Sequence, residues 1–204
     1  MLLVGMLDSP YVRRVAIAGT ILGVPFEHRS VSVFRHMDRF REINPLVKAP
    51  SLVADDGTVL MESQLVLQHL EDVAGRSLRP SAAPARIADL RATGLALVLM
   101  EKAIAIEYER KRPAESQHQP WIDRVEAQLA TALGALEGIA IRDWRSLPAQ
   151  QTHGSIGAAV ACGFIRFVVP DTMEPDHYPA LRDHAARCEE TRPFLAWPVD
   201  RTTP

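Results

Sequence analysis

Apolar and polar positions divide the chain into two stretches with different periods. In the first, short apolar runs alternate with helical stripes. Leu2 to Leu7 is an apolar run ended by Asp8-Ser9-Pro10, which predicts a strand and then a helix with Ser9 as its N-cap and Pro10 at the first helical position. Val12, Val15, Ala16 and Gly19 recur at helical spacing, and Gly23-Val24-Pro25 stops that helix near Leu22. Phe26 to Val31 predicts a second strand, and Phe34 to Ile43, charged over much of its surface, a second helix or irregular helix. Ser51 to Ala54 and Thr58 to Met61 flank Asp55-Asp56-Gly57, a hairpin signal. Helix resumes at Glu62, with Val66, Leu70 and Val73 at one-turn intervals and Gly75 as its stop.

The resulting order is βαβαββα. A helical crossover between two strands followed by a hairpin is what a thioredoxin-like α/β unit requires, and it predicts a first domain over residues 1–77. After the proline-punctuated linker Ser77 to Pro84 the composition turns to Ala and Leu with helical periods only. Ile87, Leu90, Gly94, Leu97 and Val98 are expected to share one face of a long helix running towards Arg112. Trp121, Val125, Leu129, Leu133 and Leu136 stripe the next helix, and Ile156, Val160, Phe164 and Phe167 a third. Tyr178 to Glu190 makes a fourth after turns near Pro170 and Pro175. Residues 85–204 therefore read as an all-α bundle, giving an α/β plus all-α chain.

Charge and composition narrow the partners. The 204 residues, 47% of them hydrophobic, suffice for buried cores. A formal net charge of −2 and a pI near 6.4 give no general attraction to nucleic acid or anionic lipid, so neither is expected as a partner. No apolar run reaches the roughly 20 residues that span a bilayer, and Met1 to Asp8 lacks a basic flank, so a cytoplasmic protein is expected. Cys162 and Cys188 form no CxxC spacing and read as reduced, buried thiols. The seven histidines show no helical pair beside an acid, so no metal site is expected. Gly154-Ser155-Ile156-Gly157 misses the GxSxG spacing of a nucleophile elbow, and P-loop and dinucleotide fingerprints are lacking.

The segment richest in chemistry is Asn44-Pro45-Leu46-Val47-Lys48-Ala49-Pro50-Ser51-Leu52, followed by Met61-Glu62-Ser63-Gln64. A proline at the start of an apolar strand cannot donate a ladder hydrogen bond, and a cis Ala49-Pro50 bond explains its presence there. Such a bend leaves the Ala49 main chain open to pair with a second extended peptide. The N-H groups that open the next helix, at Glu62 and Ser63, can hold a carboxylate of that peptide. These features read as a small-peptide site.

With Ser9-Pro10-Tyr11-Val12-Arg13-Arg14-Val15 after the first strand, these motifs make the whole chain resemble the glutathione S-transferase family. The family commonly opens a central helix of its second domain with Thr-x-x-Asp. Thr152-His153-Gly154-Ser155 stands in that place with Ser155 where Asp is usual, so a weaker or rearranged helix start is expected. The resemblance implies glutathione as co-substrate and Ser9 as the residue that stabilises its thiolate. A free thiol with a pKa near ~8.5 is mostly protonated at neutral pH, and lowering it by about two units takes about 2.7 kcal/mol. A hydroxyl hydrogen bond plus the helix dipole can supply that. The alternative is that Ser9 only caps its helix. Because position 9 is not Cys, a mixed-disulfide mechanism is disfavoured.

The resemblance further implies that Ala49 and Pro50 present main chain to the cysteinyl unit, that Ser63 holds the γ-glutamyl carboxylate and Glu62 its ammonium, and that Lys48 reaches the glycyl carboxylate. Arg35 and His36 are weaker candidates for that end, and Arg13 either supports the thiolate or forms an ordinary ion pair. Tyr11, Met100, Ile104 and Tyr108 are expected to line an electrophile pocket between the domains, with core packing as the competing account of the helical positions. The leading function is conjugation of glutathione to a small, mostly apolar electrophile. Alternatives are a glutathione-dependent isomerase of the maleylacetoacetate type and a non-catalytic binding or regulatory protein of the same fold. A homodimer is implied by the resemblance alone.

Overall fold

The computed structural model describes residues 1–144, 151–174 and 176–199. The chain divides into two compact units, Met1–Leu78 together with the segment from Arg192, and Arg79–Thr191. The predicted turn residue Pro175 lies outside the described residues.

The first unit is built on β1 (Leu2–Val4), α1 (Pro10–Leu22), β2 (Glu27–Arg29), α2 (Met37–Arg41), β3 (Ser51–Val53), β4 (Val59–Met61) and α3 (Ser63–Ala74). The four strands lie in the order β2-β1-β3-β4, with β1 parallel to β2 and antiparallel to β3, and β3 antiparallel to β4. This is the thioredoxin-like arrangement that the element order predicts.

The strands are shorter than their apolar runs. β1 ends at Val4 because Gly5 adopts φ +138°, a conformation that L side chains rarely adopt, and turns the chain away from the ladder. α2 is likewise shorter than the predicted Phe34 to Ile43. The Ser32 hydroxyl accepts from the N-H groups of Phe34 and Arg35 at 3.2 and 3.1 Å, a local turn that delays the helix. α1 and α3 stop at Gly23 and Gly75, both left-handed. Val4, Val31 and Phe40 form a small core beneath α2, with Val47 and Ala49 packed against it.

The C-terminal segment packs in this unit as well. After the short α8 (Arg192–Leu195), Trp197 stacks on Phe26 at 5.5 Å and donates from Nε1 to the Thr20 hydroxyl at 2.7 Å. The sequence reading keeps these residues with the helical bundle, since a four-residue helix and one tryptophan carry no period.

The second unit contains α4 (Ala83–Arg110), α5 (Gln119–Ile139), α6 (His153–Val168) and α7 (Pro179–Glu189). α6 is its centre, with Ala158, Ala159, Val160, Ala161, Cys162 and Ile165 all sealed from solvent. The buried face of α4 corrects the expected stripe. Ile87 and Leu90 are 69% and 53% exposed, and the helix instead buries Asp89, Ala92, Thr93, Ala96, Leu99, Met100, Ala103 and Ile106. Close approach decides this: a Cβ on Gly154 of α6 would lie 2.7 Å from Ala92 Cβ, and one on Gly157 3.1 Å from Ala96 Cβ. Near their contact the helices meet through small residues, and Ile87 and Leu90 are left outside. Trp121 and Phe167, expected in their helices' apolar stripes, are 42% and 36% exposed, and Val73 of α3 is 52% exposed.

The start of α6 is rearranged in the way the missing Asp predicts. Thr152 caps it by accepting from Ser155 N at 3.3 Å, but the carboxylate comes from α4, where Asp89 Oδ1 accepts from Gly154 N at 2.8 Å. Ser155 turns inward to His184, its Oγ 3.2 Å from Nε2.

His184 is 1% exposed, stacked on Trp144 at 4.3 Å, with Cys188 Sγ 3.6 Å from Nε2. Burial pushes its pKa down to about 4, outweighing the opposite effect of the Ser155 carbonyl oxygen, which accepts from Nε2 at 3.2 Å. The unfolded chain, titrating near ~6.5, therefore binds the extra proton first, and stability complete above that pH is lost as pH falls toward 4. We expect urea unfolding followed by tryptophan fluorescence to lose about 2–3 kcal/mol between roughly pH 7 and pH 4.5, and His184→Gln to flatten that slope. An unchanged slope in the variant would show that His184 is not the group responsible.

Candidate active site

Three segments converge at the end of β1. A Cβ on Gly5 would sit 2.6 Å from Val12 Cγ2 and 3.2 Å from Ala49 Cβ, so the β1–α1 turn, the first turn of α1 and the loop before β3 touch where only hydrogen fits. His28 Nε2 lies 2.8 Å from the Gly5 carbonyl oxygen and fixes the same turn from β2.

Ser9 is the N-cap of α1, half-buried, with its backbone N-H donating to Met6 O at 3.2 Å. Its Oγ accepts from Val12 N at 3.5 Å, long for a cap bond. Acting there as acceptor, the hydroxyl retains its proton for donation to another atom near the positive end of α1. Tyr11, two residues on, is half-buried.

The loop before β3 is held by a buried polar chain that the sequence reading does not anticipate. Asn44 Nδ2 donates to Ser51 Oγ at 2.9 Å, Ser51 Oγ donates to Lys48 O at 2.7 Å, and Asn44 Oδ1 accepts from Leu46 N at 3.0 Å. Asn44 and Ser51 are 2% and 0% exposed. The Ala49-Pro50 bond is cis. Ala49 lies two residues before Ser51, where β3 begins to pair with Val4 and Met61, so its main chain is beyond the ladder.

Glu62 and Ser63 open α3. Glu62 is its N-cap at φ +68°, ψ 111°, a backbone conformation costly for a residue with a Cβ. The first N-H groups of a helix lack intrahelical partners, and Ser63, 4% exposed, is the first residue of α3. Lys48 and Glu62, expected to hold opposite ends of a peptide, are paired to one another, Nζ to Oε1 2.9 Å, both more than half exposed.

Arg13 and Arg14 are both only 1% exposed. Arg13 Nε donates to Trp197 O at 2.8 Å and its guanidinium lies 5.4 Å from the Phe194 ring centre. Arg14, which the sequence reading passes over, donates from NH1 to Ser63 Oγ at 3.2 Å and from NH2 to Gln64 Oε1 at 3.3 Å. One helix thus carries Ser9 at its cap and, about one and a half turns on, the cation that anchors the start of α3. A charged pair inside the run Val12 to Ile17, where every position is buried, is the signal that marks it. Arg35 donates to Met6 Sδ at 3.5 Å, over the β1–α1 turn, and His36 Nδ1 accepts from Ser32 N at 3.4 Å.

In the helical unit, Met100 is fully buried in the core, Ile104 is half-buried and Tyr108 is 50% exposed. The Ser155, His184 and Cys188 cluster is not a nucleophilic site, since all three are sealed from solvent and burial pushes the Cys188 thiol up to about 11. Cys162 is pushed up to about 12 by burial. Among the described residues no group of His, Cys, Asp and Glu is placed to hold a metal ion, and no helix is long and apolar enough to cross a membrane.

The Ser9 hydroxyl at the start of α1, the Ala49 main chain before the β3 ladder and the start of α3 backed by the buried Arg14 lie in one thioredoxin-like unit. A family model described as the glutathione S-transferase N-terminal domain matches residues 3–77. The chain is 28% identical over 170 residues to the uncharacterized GST-like protein YibF of Escherichia coli K12, covering 82% of this chain and 83% of that protein. It superimposes on a glutathione S-transferase of Methylobacterium radiotolerans in complex with glutathione sulfonate, with TM-score 0.88 and 25% identity, covering 100% of this chain and 97% of the other. A glutathione transferase family member of Pseudomonas fluorescens Pf-5 with bound glutathione gives TM-score 0.83 and 28% identity, with 96% and 97% covered. Residues 3–77 thus match the glutathione S-transferase N-terminal domain, and over its whole length the chain is similar to bacterial glutathione transferases.

Glu62 provides a test of the strain at this site. We expect Glu62→Gly to be more stable than Glu62→Ala by about 1 kcal/mol in urea unfolding, because only glycine relieves the positive φ. An alanine variant of equal or greater stability would show that the backbone there is unstrained.

Proposed function

We propose that this protein is a glutathione transferase in which Ser9 stabilises the thiolate of glutathione for attack on a small, mostly apolar electrophile. The observation that carries the reading is the single helix α1, which places the Ser9 hydroxyl at its positive end and anchors Ser63 at the start of α3 through Arg14. The glutathione and glutathione sulfonate bound to the two bacterial relatives support the choice of peptide.

In this reading the Ser9 O-H donates to the sulfur, and the thiol proton leaves to water. The thiolate then forms the S–C bond while the electrophile's leaving group departs with its electron pair, or, in an addition, while the adjacent carbon takes a proton from water. Ala49 offers main chain to the cysteinyl unit, Ser63 and the α3 N-H groups hold the γ-glutamyl carboxylate, and Glu62 exchanges its Lys48 partner for the ammonium. Lys48 is then released toward the glycyl carboxylate. With both cysteines buried and raised in pKa, no thiol of the protein competes for the reaction. The exposed apolar residues Leu65 and Val73 on α3, and Ile87 and Leu90 on α4, support a homodimer.

We expect the protein to be retained on immobilised glutathione, to run at two chain masses by light scattering, and to conjugate glutathione to chlorodinitrobenzene. Ser9→Ala should lower kcat/KM by about 10²-fold or more with little change in glutathione affinity. Retention without turnover on a panel of electrophiles would instead identify a binding protein, and loss of retention would remove the glutathione reading altogether.

A further inference from the structure

Resting on the glutathione reading, we infer that His28 is a positioning residue for Ser9, and that the C-terminal segment, through Trp197, holds His28 to that task. The β1–α1 turn does not fix itself. Gly5 sits at φ +138°, and the wide conformational range of glycine leaves the turn to be set by bonds from outside it. Two such bonds come from β2: Gly5 N donates to Arg29 O at 3.1 Å, and Gly5 O lies 2.8 Å from His28 Nε2. A carbonyl oxygen only accepts, so His28 carries its proton on Nε2. That bond fixes the plane of the Gly5–Met6 peptide. One residue on, Met6 O accepts from Ser9 N at 3.2 Å, and at Ser9 the chain enters α1. The aim of the Ser9 hydroxyl is thereby linked to an imidazole on the neighbouring strand.

β2 is an edge strand, and Glu27 and Arg29 on either side of His28 are exposed. Water ordinarily competes for a donor in such a place. Here the Trp197 ring stands edge-on to the imidazole, with ring centres 5.5 Å apart and planes at 84°. Trp197 is itself held from three sides: its ring stacks on Phe26, its Nε1 donates to Thr20 Oγ1 at 2.7 Å, and its carbonyl oxygen accepts from Arg13 Nε at 2.8 Å. Phe26 in turn rests on α1, where a Cβ on Gly19 would come within 2.8 Å of its ring. One tryptophan thus ties α1 and the start of β2 together and covers the histidine that sets the turn between β1 and α1.

Thiolate formation reads this placement, because a displaced donor loses its hold on sulfur while the rest of the peptide stays bound. In His28→Leu and in Trp197→Leu, kcat with glutathione and chlorodinitrobenzene is expected to fall by about tenfold, with glutathione affinity by titration calorimetry within about threefold of the wild type. The ultraviolet absorbance of bound glutathione should show about tenfold less thiolate at a fixed pH below its midpoint. His28→Gln, whose amide can donate to the same carbonyl, should recover kcat to within about threefold of the wild type. In a Ser9→Ala background, His28→Leu should change kcat by less than about twofold, since the hydroxyl it positions is gone. A merely structural histidine lowers kcat by the same factor with and without Ser9, or leaves the thiolate fraction unchanged, and either result overturns the inference. So does long-range proton–nitrogen NMR of the wild-type protein if it finds the neutral imidazole of His28 protonated on Nδ1, a measurement that needs no variant to fold. A wild-type protein that binds no glutathione removes the glutathione reading and this inference with it, whereas full activity in His28→Leu overturns the inference alone.

Discussion

The close approach at Gly5 is the constraint on which the candidate site depends. Because a Cβ there would meet both Val12 and Ala49, the end of β1, the first turn of α1 and the loop before β3 share one point of contact. Everything proposed for the site is anchored within a few residues of that point: Ser9 four residues after it, Ala49 against it, and Ser63 reached from the same helix by Arg14. A larger residue at position 5 would separate these segments, and its positive φ would add strain.

Around this contact the molecule uses polar groups in two distinct ways. Buried ones are fully engaged and set geometry: Asn44 and Ser51 hold the loop, Arg13 holds the C-terminal segment, and Arg14 holds the start of α3. Exposed ones, Lys48 and Glu62, form a pair that is weak in water and therefore easily exchanged for a ligand's charges. That division suits the proposed site, rigid where a sulfur would be oriented and compliant where a peptide would enter. In the helical unit the same economy appears at α6, where Asp89 of the neighbouring helix supplies the carboxylate that Ser155 does not, freeing Ser155 to partner the buried His184.

Much of the first unit was legible because its signals are local. Ser9-Pro10 marks a helix start, Gly23 and Gly75 mark stops, Asp55-Asp56-Gly57 marks a hairpin, and the spacing of Pro50 from Glu62-Ser63 locates the motif pair. What escaped depends on partners distant in sequence. Arg14 finds Ser63 across 49 residues and Arg13 finds Trp197 across 184, and no periodicity announces either. The α4 stripe misled for a related reason: hydrophobic size pointed to Ile87 and Leu90, whereas the packing follows Ala92 and Ala96, small enough to admit Gly154 and Gly157. The Lys48–Glu62 pair is equally silent in the sequence, since the two residues lie 14 positions apart in a loop and at a helix start.

The central claim is that the surroundings of Ser9 favour sulfur as an anion, and the most direct measurement is the ultraviolet thiolate absorbance of protein-bound glutathione as a function of pH. The account predicts a titration midpoint about two units below that of the free thiol, returning most of the way in Ser9→Ala. A bound thiol that titrates where free glutathione does would contradict it.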